Sequence, residues 1–128
     1  MASAAVTENR LFDLTLDEAN RIIALAEAYA AHLTATLGPA PSEEAIAEDV
    51  KAGASPEGAA LMAAIAGLTR AARTELVSLV WCGMGDYIFT EARAYAKATA
   101  DTGIPQYLAK KGMVLAGLLR TALATLEK

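Results

Sequence analysis

Apolar residues are concentrated in residues 75–86, which read Glu-Leu-Val-Ser-Leu-Val-Trp-Cys-Gly-Met-Gly-Asp. The apolar positions extend over more than one helical turn: Leu76, Val77, Leu79, Val80, Trp81 and Cys82. A run this short fits either a buried helix or a buried strand. Helix is favoured because the flanking segments are helical in pattern, and a lone strand would leave its backbone groups unpartnered. We therefore predict a buried central helix over about residues 70–84, in the middle of a helical bundle, with Arg70, Arg73 and Glu75 on its exposed first turn.

A second apolar pattern, with steps of three and four residues, begins after Thr15. Thr15 and Glu18 have the spacing of a capping box, and Gly38-Pro39 is typical of a helix end. The stripe between them comprises Leu16, Ala19, Ile23, Ala26, Ala30, Leu33 and Leu37. This is the spacing of a helix that lies along another helix, so we predict a long first helix.

Shorter helical patterns, separated by breaks at glycine and proline, make up the rest of the chain. Ser55-Pro56 starts one helix, another follows Asp86, and the last covers about residues 111–126. Residues 39–55 are acidic and only weakly amphipathic. We expect a short helix there within a mobile excursion.

These elements predict an all-α fold, a compact bundle of about five helices around the buried central helix. At 128 residues the chain has the length of one domain. We place that domain at residues 13–128 and expect residues 1–12 to form a flexible tail, from which Leu11 and Phe12 could pack onto the first helix.

Composition and charge exclude several classes of function. A net charge of −4 and a pI of about 4.9 argue against nucleic-acid binding, which usually needs a basic face. A single cysteine excludes an intrachain disulfide and fits a reducing compartment. Residues 1–10 lack the features of a signal peptide, and no apolar run approaches the roughly 18 residues that span a bilayer. We expect a cytoplasmic protein that binds neither nucleic acid nor membrane.

The central stretch resembles a bacterial family known as domain of unknown function 3775. The resemblance is carried by residues 81–86 together with Glu75-Leu76-Val77 before them and Tyr107-Leu108 after them. In that family an acidic residue precedes an apolar helix that ends in a tryptophan and a Gly-x-Gly-Asp turn. The similarity covers about Leu61 to Leu126, and the first helix fits only in general character.

Two positions depart from the family pattern. Met84 stands where the family usually has a basic residue between the two glycines, and residues 87–89 replace a longer acidic segment with a second tryptophan. The resemblance brings no assigned chemistry, so it implies no catalytic residue.

His32 and Cys82 are the single histidine and the single cysteine of the chain. A metal site or a catalytic triad needs convergent partners, which the sequence does not place near His32, so we expect a surface histidine. Cys82 lies near a helix C-terminus, where the helix dipole disfavours a thiolate, so we expect an inert thiol. The acidic residues at 43–49 lack the spacing of a calcium loop. We expect neither a metal nor a cofactor.

The turn after the central helix is the candidate ligand site. We expect its glycines to end that helix and Asp86 to cap a helix that begins at Tyr87. The turn lacks the third glycine and the preceding strand of a dinucleotide fingerprint, although amides at a helix N-terminus can bind anions. The candidate ligand-binding residues are Trp81, Gly83, Gly85, Asp86, Tyr87 and Tyr95.

The stripe of the first helix has two interpretations, packing within the chain or an intermolecular seam. The candidate interface residues are Leu16, Ile23, Ala26, Ala30, Leu33 and Leu37. Our first hypothesis is a non-enzymatic interaction or self-association module, whose partner is a second copy or another protein. The alternative is a small-molecule-binding domain or minor enzyme with a pocket at the Gly83–Phe89 turn.

Overall fold

The computed structural model describes residues 11–52, 55–98 and 103–126 of the chain. Within these residues all regular secondary structure is helical, as predicted. The seven helices found there are α1 (Leu16–Leu37), α2 (Glu43–Ala52), α3 (Pro56–Ala66), α4 (Arg70–Gly83), α5 (Phe89–Ala98), α6 (Ile104–Ala109) and α7 (Leu115–Thr125). They pack into one all-α bundle, in which α6, with six residues, is the shortest of these helices.

The central helix of the prediction is α4. Its N-cap is Thr69, whose hydroxyl accepts a hydrogen bond from the amide of Ala72 at 3.1 Å. Residues 75–80 are all buried, because α5 packs against one side of α4 and α7 against another. Trp81 and Cys82, at the end of the apolar run, are only half-buried. The core of the bundle is therefore built on the first three turns of α4.

The long first helix, α1, has the predicted capping box. The amide of Glu18 donates to the Thr15 hydroxyl at 3.0 Å, and the Glu18 carboxylate accepts from the amide of Thr15 at 2.9 Å. The helix ends before Gly38, which has a φ of 98°. It lies between α3 and α7 and contributes six buried residues to the core: Ala19, Ile22, Ile23, Ala26, Tyr29 and Leu33.

Residues 39–55, expected to form a mobile excursion, contain α2. A hydrogen bond from Tyr29 joins α2 to the core. The hydroxyl of Tyr29 donates to a carboxylate oxygen of Asp49 at 2.7 Å, and Ser55 donates to the same oxygen at 3.1 Å. Ile46 of α2 is also buried. Gly53, which follows α2 in the sequence, lies outside the described residues.

Two predicted boundaries were wrong. Helix α5 begins at Phe89 rather than at Tyr87, so Asp86 lies three residues before the helix and is not its N-cap. Helix α7 begins at Leu115, because residues 110–114 form turns rather than a helical start. No helix among the described residues has the length and hydropathy needed to cross a membrane.

Candidate interaction surface

The turn between α4 and α5 is fixed by two glycines with different roles. Gly83 is the last residue of α4 and lies directly against the backbone of Leu118 on α7, where a Cβ atom would overlap the Leu118 carbonyl oxygen. Gly85 has a φ of 87°, a left-handed conformation that glycine adopts without strain. Both residues shape the turn, and neither offers a side chain to a ligand.

Four aromatic side chains form a continuous row beside this turn, which we call the aromatic ridge: Tyr95, Tyr87, Trp81 and Tyr107. The ring centroids of Tyr95 and Tyr87 are 5.0 Å apart, and those of Tyr87 and Trp81 are 6.4 Å apart. The indole N–H of Trp81 donates to the Tyr107 hydroxyl at 3.1 Å. At that end of the ridge, the ammonium of Lys111 lies 5.2 Å from the centre of the Tyr107 ring.

Large side chains in the ridge and beside it are exposed to solvent. Ile88 is 63% exposed, Tyr95 58% and Met84 43%. Met84 and Ile88 are exposed in the turn on either side of Tyr87 in the sequence, and Tyr95 is itself part of the ridge.

The part of the chain that carries the ridge matches a known protein family. The family described as protein of unknown function (DUF3775) matches residues 59–127, more than half of the chain's 128 residues. The chain belongs to this family. The match confirms the resemblance predicted from the Trp81–Asp86 motif, and the whole aromatic ridge lies inside the DUF3775 region. No curated protein and no solved structure matches the chain.

Three of the predicted ligand-binding residues, Trp81, Tyr87 and Tyr95, do come together in the ridge. Asp86 is exposed in the turn beside them. Among the residues that the structure describes, no three His, Cys, Asp or Glu side chains lie together in an arrangement that could hold a metal ion.

The two residues considered for catalysis lie apart from each other. His32 is half-buried on α1, with its Nδ1 atom 3.5 Å from a carboxylate oxygen of Glu57 on α3. Cys82 is half-buried at the end of α4, with its Sγ atom 3.8 Å from the Thr125 hydroxyl.

A buried carboxylate, which the sequence pattern placed at the exposed start of the central helix, is the largest departure from prediction. Glu75 of α4 is 1% exposed. Its two oxygens accept hydrogen bonds from three successive backbone amides, those of Phe12, Asp13 and Leu14, at 2.8–3.1 Å. Nε of Arg93 on α5 lies 3.2 Å from the carboxylate, and its guanidinium lies 4.4 Å from the centre of the Phe12 ring.

We call this arrangement of Glu75, Arg93 and residues 12–14 the N-terminal clamp. Phe12, the last residue of the expected tail, donates its amide hydrogen to the Glu75 carboxylate. Residues 1–10 lie outside the described residues. The spacing of apolar residues could not predict the clamp. Its one signal in the sequence was Glu75, the acidic residue of the DUF3775 motif.

Tyr29 is a second buried polar residue that the sequence analysis did not single out. It is 0% exposed, and its ring lies between two glycines. A Cβ atom at Gly58 would lie 2.9 Å from Cε1 of the ring, and one at Gly112 would lie 2.8 Å from Cδ2. Burial and the neighbouring Asp49 carboxylate raise the pKa of the Tyr29 hydroxyl far above its usual value.

The predicted interface on α1 is divided by the fold. Ala26 and Leu33 are fully buried inside the chain's own core and Ile23 is 6% exposed, so this part of the stripe packs within the chain. Leu16 and Leu37, at the two ends of the stripe, remain 58% and 43% exposed.

A shallow groove of about 510 Å³ lies between α1 and α7, and we call it the α1–α7 groove. Leu16, Ile23 and Ala24 line it from α1, and Leu123 and Ala124 line it from α7. Glu27 and Arg120 form an ion pair across it, with both side chains about half exposed.

Proposed function

We propose that the protein is a non-enzymatic interaction module that binds another protein through the aromatic ridge. The observation that carries this proposal is the exposure of Ile88, Tyr95 and Met84 around a continuous row of aromatic rings. Tryptophan, tyrosine and methionine are enriched in protein interfaces, and truncation of buried aromatic anchors there weakens binding most. Exposed large apolar side chains that cluster rather than scatter mark such surfaces.

The packing of the ridge favours a protein partner over a small molecule. Ring centroids 5.0 and 6.4 Å apart belong to rings that touch each other, so the aromatic side chains fill the space between them. They therefore present a broad face rather than the walls of a cavity. A partner that covers a face gains more from this arrangement than a ligand that needs enclosure.

The polar groups beside the ridge support a binding role rather than a catalytic one. Asp86 is exposed in the turn, and the single histidine lies on α1 beside Glu57. Acid–base or nucleophilic chemistry usually joins two such groups within hydrogen-bonding reach of the reacting atom. The half-buried Cys82 contacts a hydroxyl and has no basic neighbour in the described contacts.

The test is native mass spectrometry of the untagged protein recovered from its own host, followed by reconstitution with purified components. We expect a stoichiometric protein partner that Ile88→Asp releases. Val114→Asp is the matched control, because Val114 is 54% exposed and lies outside the ridge.

Binding that survives Ile88→Asp would place the partner elsewhere and overturn this proposal. A defined small-molecule mass, lost with Tyr95→Ala, would instead support the alternative of a ligand-binding domain at the Gly83–Phe89 turn.

A further inference from the structure

Met84 is the most exposed of the methionines that the structure describes. It is 43% exposed, whereas Met62 and Met113 are half-buried and pack against the core. Glycines flank Met84 on both sides, and a Cβ atom at Gly85 would meet nothing within 4 Å. A small oxidant in solution therefore reaches the thioether of Met84 more readily than those of the other two methionines.

The place of Met84 in the chain gives its oxidation a consequence. It lies in the turn between α4 and α5, three residues before Tyr87 of the aromatic ridge. The proposed function includes Met84 in the binding surface, and the inference rests on that proposal. A thioether is apolar and adapts to an apolar partner, whereas a sulfoxide is polar and accepts hydrogen bonds. Burial of the sulfoxide against a partner without a hydrogen-bond donor disfavours binding.

We propose that Met84 is an oxidation site, at which a hydroperoxide converts the thioether to a sulfoxide and thereby weakens the binding of a protein partner to the aromatic ridge. A lone pair of the sulfur attacks one oxygen of the peroxide. The sulfur–oxygen bond forms as the oxygen–oxygen bond breaks, and the leaving oxygen takes the proton to give water or an alcohol. The sulfur is oxidised and the peroxide is reduced. Methionine sulfoxide reductases restore the thioether, so the change is reversible.

The first experiment needs no partner. The full chain is treated with tert-butyl hydroperoxide, and peptide mass mapping over time gives the oxidation rate of each methionine. We expect the sulfoxide of Met84 to form several-fold faster than those of Met62 and Met113. The thermal melt of the oxidised protein should remain that of the untreated protein, because Met84 lies in an exposed turn.

The second experiment measures the affinity for the protein partner recovered by native mass spectrometry, before and after peroxide, with each variant compared only with itself. Peroxide should weaken binding by wild type at least about tenfold, and the reductases should restore it. In Met84→Leu the affinity should not change on treatment. Met113→Leu is the matched control, because it removes a half-buried methionine outside the ridge and should lose affinity as wild type does.

Cys82 is the other sulfur close to the turn. It is half-buried, and its Sγ atom lies 3.8 Å from the Thr125 hydroxyl on α7. A thiol competes with a thioether for peroxide, so the affinity is also measured in Cys82→Ser. This variant should lose affinity on oxidation as wild type does, and an affinity that peroxide leaves unchanged would assign the effect to the thiol and overturn the inference.

Three further outcomes overturn the inference: oxidation of Met62 or Met113 before Met84, loss of affinity in treated Met84→Leu, or loss of the thermal transition together with binding. Ile88→Asp separates these results from the proposed function. A partner that Ile88→Asp releases but peroxide does not would overturn the inference alone, whereas a partner that Ile88→Asp retains would overturn the proposed function.

Discussion

At the scale of single residues, the burial of Glu75 differs most from what the hydrophobic pattern predicts. A carboxylate buried to 1% exposure is costly unless hydrogen bonds and an opposite charge compensate it. Here three backbone amides and Arg93 do so. The amide donors are 61–63 residues away in sequence, so no local pattern could predict them. The same carboxylate fixes the path of the chain into α1.

Glu75→Gln should therefore destabilise the protein by roughly 2–3 kcal/mol, because an amide cannot accept all of these hydrogen bonds and Arg93 loses one of its two carboxylate partners, keeping only Asp13. Urea unfolding followed by circular dichroism measures the change.

Glu91→Gln is the control, since Glu91 is exposed on α5 and should change stability by less than about 0.5 kcal/mol. Equal stabilities of the two variants would contradict the role given to the clamp.

Tyr29 predicts how stability depends on pH. Its pKa is raised by burial and by Asp49, so above pH of about 10 the hydroxyl ionises in the unfolded chain but not in the folded one. The folded state then binds the extra proton, and the free energy of unfolding falls by up to about 1.4 kcal/mol per pH unit. Below that pH the contribution is constant.

Urea unfolding at several values between about pH 8 and about pH 11 tests this dependence. Tyr29→Phe lacks the ionisable group and should lose less stability over that range, although it starts about 1 kcal/mol lower because the bond to Asp49 is gone. Parallel pH profiles of the two proteins would show that ionisation of Tyr29 is not the cause.

At the scale of elements, helices were predictable where their signals are local. The capping box at Thr15 and the helix start at Ser55-Pro56 were predicted from the sequence and are present. The start of α5 was not predicted correctly. Asp86 is a residue type that often caps helices, but residues 84–88 are not helical and α5 begins only at Phe89. Close contact between α4 and α7 at Gly83 was also hidden, since a glycine at a helix end is equally consistent with a cap.

That contact makes Gly83→Ala destabilising by about 1–3 kcal/mol, because the added methyl group overlaps the Leu118 carbonyl and pushes α7 away from α4.

Gly117→Ala is a matched control on α7, where an added Cβ atom meets nothing within 4 Å. It should stabilise the protein by about 0.5–1 kcal/mol through helix propensity. Thermal melts of the two variants that shift in the same direction would be inconsistent with the packing described.

At the scale of the whole molecule, the DUF3775 region depends on residues that precede it. Glu75 and Arg93 lie inside the region, but the amides that satisfy Glu75 come from residues 12–14. Gly112 packs against Tyr29, which lies on α1. The all-α class and the family were evident from the sequence, whereas this dependence arises from long-range contacts.

A fragment of residues 55–128 should therefore lack a cooperative thermal transition, while the full chain unfolds cooperatively. Loss of α1 exposes the core face that it covers and leaves Glu75 without its amide donors. Circular dichroism melts and the dispersion of amide resonances compare the two. A cooperative melt of the fragment would establish the region as a domain that folds by itself.

The N-terminal clamp has a consequence for spectroscopy. The amides of Phe12, Asp13 and Leu14 belong to no helix, yet each donates to a carboxylate at 2.8–3.1 Å. Backbone amides outside regular secondary structure ordinarily exchange their hydrogens with water quickly, whereas these three can exchange only when they leave Glu75. Their exchange rates would report how often residues 12–14 separate from Glu75, independently of any unfolding of the bundle.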